Sequence, residues 1–191
     1  SAASDVYKRQ AKNTDYYWDL SNLVDESDPY NIKRVKVVDA GNSAGRIIFI
    51  DNQNYNNGIQ LNQINGPESD LPVTFIFSAL KPVVLTGTIT GNVRMFFAGD
   101  FQFGMGTETV AYNGLTMFMS NGDMKICSSI WSYKNNPGGG FLSSDKDITI
   151  VESASFQGQI QCRGNFKTSG LIQFNDSVLK APGFTVPKGM K

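Results

Sequence analysis

One corner recurs along the second half of the chain, and it limits what the chain can fold into. It first reads Val93-Arg-Met-Phe-Phe-Ala-Gly-Asp-Phe-Gln-Phe103. It returns as Leu115-Thr-Met-Phe-Met-Ser-Asn-Gly-Asp-Met-Lys-Ile126, as Phe141-Leu-Ser-Ser-Asp-Lys-Asp-Ile-Thr-Ile150, and as Gln159-Ile-Gln-Cys-Arg-Gly-Asn-Phe-Lys167. Each copy is a strand, a turn, an Asp or Asn, and a short alternating strand. The anchors Asp100, Asp123, Asp147 and Asn165 are spaced by 23, 24 and 18 residues. A recurrence of this length marks one structural unit laid down repeatedly. One such rung cannot bury its apolar face alone, so rungs stack and share a core. Gly99, Gly122 and Gly164 suit the bend because Gly tolerates positive φ, and Asp suits it because its side chain bonds its own turn. The expected fold is all-β, a right-handed β-helix or solenoid of stacked rungs. A β-sandwich is the alternative, since it also uses short strands at this spacing.

Upstream, Arg46-Ile-Ile-Phe-Ile50, Ile59-Gln-Leu-Asn-Gln-Ile64 and Val73-Thr-Phe-Ile-Phe77 read as strands, with Asn57-Gly58 as a tight turn. Ile32-Lys-Arg-Val-Lys-Val-Val38 reads as another. Asp15 to Val24 is expected to form a short helix or a cap, and Asp25 to Pro29 a loop. The expected layout is residues 11–40 as an N-terminal cap or linker and 41–191 as the solenoid. Alternation places Met95, Phe97, Phe101, Phe103, Met117, Met119, Ile126, Ile148, Ile150, Phe156, Ile160, Phe166, Ile172 and Phe174 in the core.

Residues 1–10, Ser-Ala-Ala-Ser-Asp-Val-Tyr-Lys-Arg-Gln, resemble the in-frame translation of a transposase adapter used in sequencing libraries, at all ten positions. They are expected to be an artefact, set aside from fold reasoning. The expectation is then a fragment from an assembled environmental library, whose natural N-terminus and upstream segment lie elsewhere. Setting aside Asp5, Lys8 and Arg9 from 17 basic and 17 acidic side chains leaves 15 and 16. No basic excess is left to neutralise phosphates, which argues against a nucleic-acid partner. No run of about 20 apolar residues suits a membrane span. Sparse charge favours an extracellular or cell-surface setting.

The chain has no histidine. That removes Ser-His-Asp and Cys-His catalysis and histidine-ligated zinc, leaving carboxylates or Lys as general bases. Cys127 and Cys162 form no disulfide framework. Alternation puts Cys162 on the face of Phe156 and Ile160 as a small buried hydrophobe, and a bridge would need the two on facing rungs. Asp100, Asp123 and Asp147 suit either a calcium ladder or the carboxylates of a polysaccharide-cleaving β-helix. The plainer reading, that Asp recurs because the turn recurs, is preferred. No cofactor is expected, with calcium the one candidate considered. Trp131, Tyr133, Asn135 and Asn136 lie in or beside the loop Asn135-Asn-Pro-Gly-Gly-Gly140 and are the candidate glycan- or partner-binding residues. Packing at a rung edge is the competing account of the aromatics.

The stretch from Pro82 to Lys180 resembles the β-helical domains of bacterial surface and pilus-associated proteins, including prepilin-related ones. The resemblance is carried by Gly87-Thr-Ile-Thr-Gly-Asn-Val93, Asn121-Gly-Asp-Met-Lys-Ile126, Asp147-Ile-Thr-Ile150 and Ala154-Ser-Phe-Gln-Gly-Gln-Ile160, running on to Ile172. It implies a non-catalytic structural or adhesive scaffold at the cell surface, with pilus or envelope proteins or surface glycans as partners. Phage tail spikes and bactofilins share the style. A carbohydrate-active β-helix, such as a polysaccharide lyase or tail-spike depolymerase, and a bactofilin-like polymer are therefore the alternatives. No catalytic residue carries over.

Overall fold

In-phase stacking demands that the same strand of each turn pair with its counterpart one turn on, always in parallel. A computed structural model describes residues 17–19, 24–25, 34–35, 37–52, 58–105, 115–130 and 139–174. The strands run in chain order as β1 (Tyr17–Asp19), β2 (Val24–Asp25), β3 (Arg34–Val35), β4 (Val38–Asp39), β5 (Ile47–Asp51), β6 (Ile59–Leu61), β7 (Ile64–Asn65), β8 (Val73–Phe77), β9 (Val83–Leu85) and β10 (Ile89–Thr90). They continue as β11 (Val93–Phe97), β12 (Phe101–Phe103), β13 (Leu115–Ser120), β14 (Met124–Ile126), β15 (Gly139–Ser144), β16 (Ile148–Ile150), β17 (Ser155–Cys162), β18 (Phe166–Thr168) and β19 (Leu171–Phe174).

Sheet A runs β1-β5-β8-β11-β13-β15-β17-β19, and sheet B runs from β2 and β3 through β6, β9, β12, β14 and β16 to β18. A short sheet C, β4-β7-β10, closes a third side in the early rungs. Apart from the antiparallel β2–β3 pair, the strand pairings are parallel. The fold is a parallel β-solenoid. A sandwich, built from antiparallel hairpins, is excluded. β1 is a strand paired with β5, where a short helix was one expectation for Asp15 to Val24. β3 and β4 pair in parallel with β6 and β7.

The interior is built in columns. In sheet B, Ile59, Val83, Phe101, Met124, Ile148 and Phe166 stack in register, as do Leu61, Leu85, Phe103, Ile126, Ile150 and Thr168. Gln60, Val84, Gln102, Lys125, Thr149 and Lys167 form the outward column between them. In sheet A, Ile48, Phe75, Met95, Phe118, Leu142 and Ile160 make the central column. Aromatic rings fill the space between the sheets. Phe97 and Phe101 stack with centroids 3.9 Å apart, and Phe118 packs against both Phe101 (4.8 Å) and Phe103 (5.2 Å).

Met117 and Met119 depart from the expected phase. β13 pairs Phe118 with Met95, so Thr116, Phe118 and Ser120 point inward. The two methionines lie on the outer face of sheet A, where they are nonetheless buried, beside an equally buried Phe141. Alternation alone offered two phases, and the rings of Phe101 and Phe103 decide between them. Phe166 and Phe174 also differ from expectation. They face the interior column positions but are 37% and 63% exposed.

Phe118→Ala, which opens a void between Phe101 and Phe103, is expected to cost about 3–5 kcal/mol in urea unfolding. A loss under about 1 kcal/mol would show that the ring does not fill that space.

Candidate functional site

The repeating corner lies between sheets A and B. Gly99 and Asp100 connect β11 to β12, Gly122 and Asp123 connect β13 to β14, Asp147 lies between β15 and β16, and Gly164 and Asn165 connect β17 to β18. The structure stacks these residues on one another. The Oδ1 of Asp100 accepts the backbone N–H of Asp123 at 2.9 Å, that of Asp123 accepts the N–H of Asp147 at 3.1 Å, and that of Asp147 accepts the N–H of Asn165 at 2.8 Å. Each side chain therefore holds the corner one turn ahead rather than its own turn. Main-chain bonds run beside it, with Phe101, Met124 and Ile148 each donating to the corner carbonyl of the following rung at 2.9–3.1 Å.

Glycine makes room for this ladder. A Cβ on Gly122 would strike the Asp100 carboxylate and lie 2.8 Å from its backbone N. One on Gly164 would strike the carboxylate of Asp147. A second device sits two or three residues earlier. Ser120 Oγ donates to the Gly99 carbonyl at 2.6 Å and accepts the Gly122 N–H at 3.0 Å. Ser144 Oγ donates to the Gly122 carbonyl at 2.6 Å and accepts the Lys146 N–H at 2.9 Å. Sequence reasoning passed over both serines, although each stands three residues before its corner Asp, as Cys162 stands before Asn165. Asn52 was missed as well. Buried after β5, it accepts the Ala79 N–H at 3.0 Å from the next rung.

The ladder borders a shallow, open groove of about 220 Å³ on the outer face of sheet B, lined by Pro82, Val84, Asp100, Gln102, Asp123 and Lys125. Separate rungs thus bring two carboxylates and an ammonium group together. The volume is below the roughly 300–1,000 Å³ of ordinary ligand sites. One oxygen of each carboxylate is already engaged by a backbone amide. The arrangement suits a solvated polar surface that contacts one or two hydroxyls of a ligand more than a dyad poised to cleave a bond.

On sheet A, Arg94 is paired between Thr74 and Met117, and burial lowers its pKa from the usual guanidinium value. Cys127, buried after β14, and Cys162, at the end of β17, are not joined in a disulfide. Cys162 pairs in register with Ser144, at the corner end of its strand, while Cys127 follows the opposite end of β14. Trp131, Tyr133, Asn135 and Asn136 fall in the interval between β14 and β15 and lie outside the described residues. Among the described residues, no group of three or more Cys, Asp or Glu is placed to hold a metal ion, and no helix is long and apolar enough to cross a membrane. No protein-family model matches the chain, and neither a curated protein nor a solved structure matches it.

Two substitutions separate the roles of the corner residues. Asp123→Ala removes the acceptor for the Asp147 amide and is expected to cost about 0.5–1.5 kcal/mol. Asp123→Asn keeps an acceptor, as Asn165 does in this position, and should stay within about 0.5 kcal/mol of the parent. Gly122→Ala forces a methyl group into the ladder and should cost about 1–3 kcal/mol. Chemical denaturation of the three variants gives the order directly.

Proposed function

We propose that the protein is a non-catalytic structural or adhesive scaffold of the cell surface or the extracellular space, associated with a pilus or envelope. The observation that carries this reading is the use made of its recurring carboxylates. Asp100, Asp123 and Asp147 are bonded to backbone amides one rung ahead, so their regularity serves stacking. A long, parallel, hydrogen-bonded coil is a rigid spacer, and its connections are where recognition residues can vary without disturbing the core. The chain between β14 and β15 carries Trp131, Tyr133, Asn135 and Asn136. Aromatic faces flanked by carboxamides suit sugar rings or an extended protein partner.

A carbohydrate-active β-helix is the second reading, favoured by one observation: Asp100, Asp123 and Lys125 line one groove. Incubating the purified chain with a panel of acidic polysaccharides, with and without calcium, separates the two. The scaffold reading expects no cleavage under either condition. It also expects Trp131→Ala with Tyr133→Ala to lower retention on surface glycans or pilus preparations at least tenfold, with an unchanged melting curve. Turnover that disappears in Asp100→Asn or Asp123→Asn would overturn it in favour of the enzyme.

A further inference from the structure

Between the sheet A strand and its corner, each of four successive rungs places one residue in a common column. Ala98, Asn121, Asp145 and Arg163 donate their N–H groups to Phe77, Phe97, Ser120 and Ser144 one rung back at 2.9–3.1 Å. Asp145 and Arg163 in that column are joined by an ion pair at 3.5 Å. Asn121 is exposed, and Gly122 follows it. An Asn-Gly pair is chemically labile, because a glycine without Cβ leaves its amide nitrogen unhindered in closing a cyclic imide on the Asn carboxamide.

Among the Asn-Gly pairs of the chain, Asn65-Gly66 and Asn121-Gly122 lie wholly within the described residues. The two are held differently. Asn65 Oδ1 accepts the Gln63 Nε2–H at 2.7 Å and the Thr90 hydroxyl at 3.4 Å, and the Gly66 N–H donates to the Thr90 carbonyl at 2.7 Å. Both groups that would react are thus tied to the next rung. The Asn121 carboxamide makes no hydrogen bond among the described residues. The Gly122 N–H is held by a side chain instead, Ser120 Oγ at 3.0 Å, and that hydroxyl is oriented by its own donation to the Gly99 carbonyl at 2.6 Å.

We propose that Asn121 is a site of spontaneous deamidation in the middle of the corner ladder, and that the Ser120 hydroxyl sets its rate by holding the attacking nitrogen. The Gly122 nitrogen bonds to Cγ of Asn121, the Cγ–Nδ2 bond breaks, and the amide proton leaves with the ammonia. Water then opens the imide. Cleavage at Cγ gives aspartate, and cleavage at the main-chain carbonyl gives isoaspartate. While the N–H donates to Ser120, the nitrogen keeps its proton and its peptide plane is fixed, so attack is slow. Either product weakens the corner. Aspartate sets a carboxylate about 4.8 Å from Asp145 in the next rung, and like charges directly opposite destabilise a sheet. Isoaspartate adds a main-chain atom between residues 121 and 122, where Gly122 already lies against Asp100. That shift pulls the Asp123 N–H away from Asp100 Oδ1.

The test is a time course of the folded full chain in mildly alkaline buffer, with each Asn-Gly peptide followed by mass spectrometry. Asn121 should convert to a mixture of aspartate and isoaspartate while Asn65 stays intact, and the urea midpoint should fall as the converted fraction rises. Ser120→Ala should speed the conversion of Asn121 about fivefold, the worth of one lost hydrogen bond. Ser144→Ala removes the equivalent contact one rung on, at Gly122 O and Lys146 N. It should leave the rate unchanged and so controls for general loosening of the corner. The same chain in concentrated urea supplies the unprotected rate, in which Asn65 and Asn121 should react alike. An Asn121 that stays intact in the folded chain, or an Asn65 that converts as fast, would overturn the site. Equal acceleration by the two serine variants would overturn the role given to Ser120.

Discussion

Every feature of this solenoid depends on one alignment, the stacking of each corner on the corner one turn before it. Backbone pairing alone does not set that phase, because a parallel ladder can slip by two residues and keep its sidedness. The ladder through Asp100, Asp123, Asp147 and Asn165 removes the freedom. A side-chain oxygen from one rung can reach only the amide directly above it, so a slip breaks the bond as well as the packing. Each bond is worth only about 1 kcal/mol, but all of them vote for the same register.

With the corner fixed, the interior follows. One column of sheet A begins as Ile50, Phe77 and Phe97 and continues as Ser120, Ser144 and Cys162. The change from apolar to hydroxyl side chains is not a loss of core. The serines satisfy the carbonyls of Gly99 and Gly122, which the bend turns away from the regular ladder. A neighbouring column runs Val73, Val93, Thr116, Gly140 and Gly158. There the glycines leave room for Ile130 and Phe156, which would lie 3.0 and 3.2 Å from a Cβ on Gly140. The cross-section changes along the axis while the corner stays constant.

That division bears on function. Chemistry that looked available when the aspartates were read along the chain is committed to backbone amides once they are stacked. What variation the molecule permits lies in the connections leading from sheet B back to sheet A, while the sheets themselves are constrained by register. Those two facts are what the proposed scaffold reading rests on. The groove at Asp100, Asp123 and Lys125 is small, and one oxygen of each carboxylate in it is held by a backbone amide.

The sequence by itself determined the class of fold, because a turn recurring in phase with alternating strands has few solutions other than a coil of rungs. It determined the corner residues as well, since Asp and Gly are visible wherever they recur. It did not determine which way β13 faces. Met117, Phe118 and Met119 are all apolar, so alternation is silent there, and only the rings of Phe101 and Phe103 select Phe118. Nor could it show that the corner carboxylates bond one rung ahead, that Ser120 and Ser144 complete the same corner, or that Val84, Gln102 and Lys125 meet in one column. Those are contacts between residues some twenty positions apart, and they exist only once the rungs are stacked.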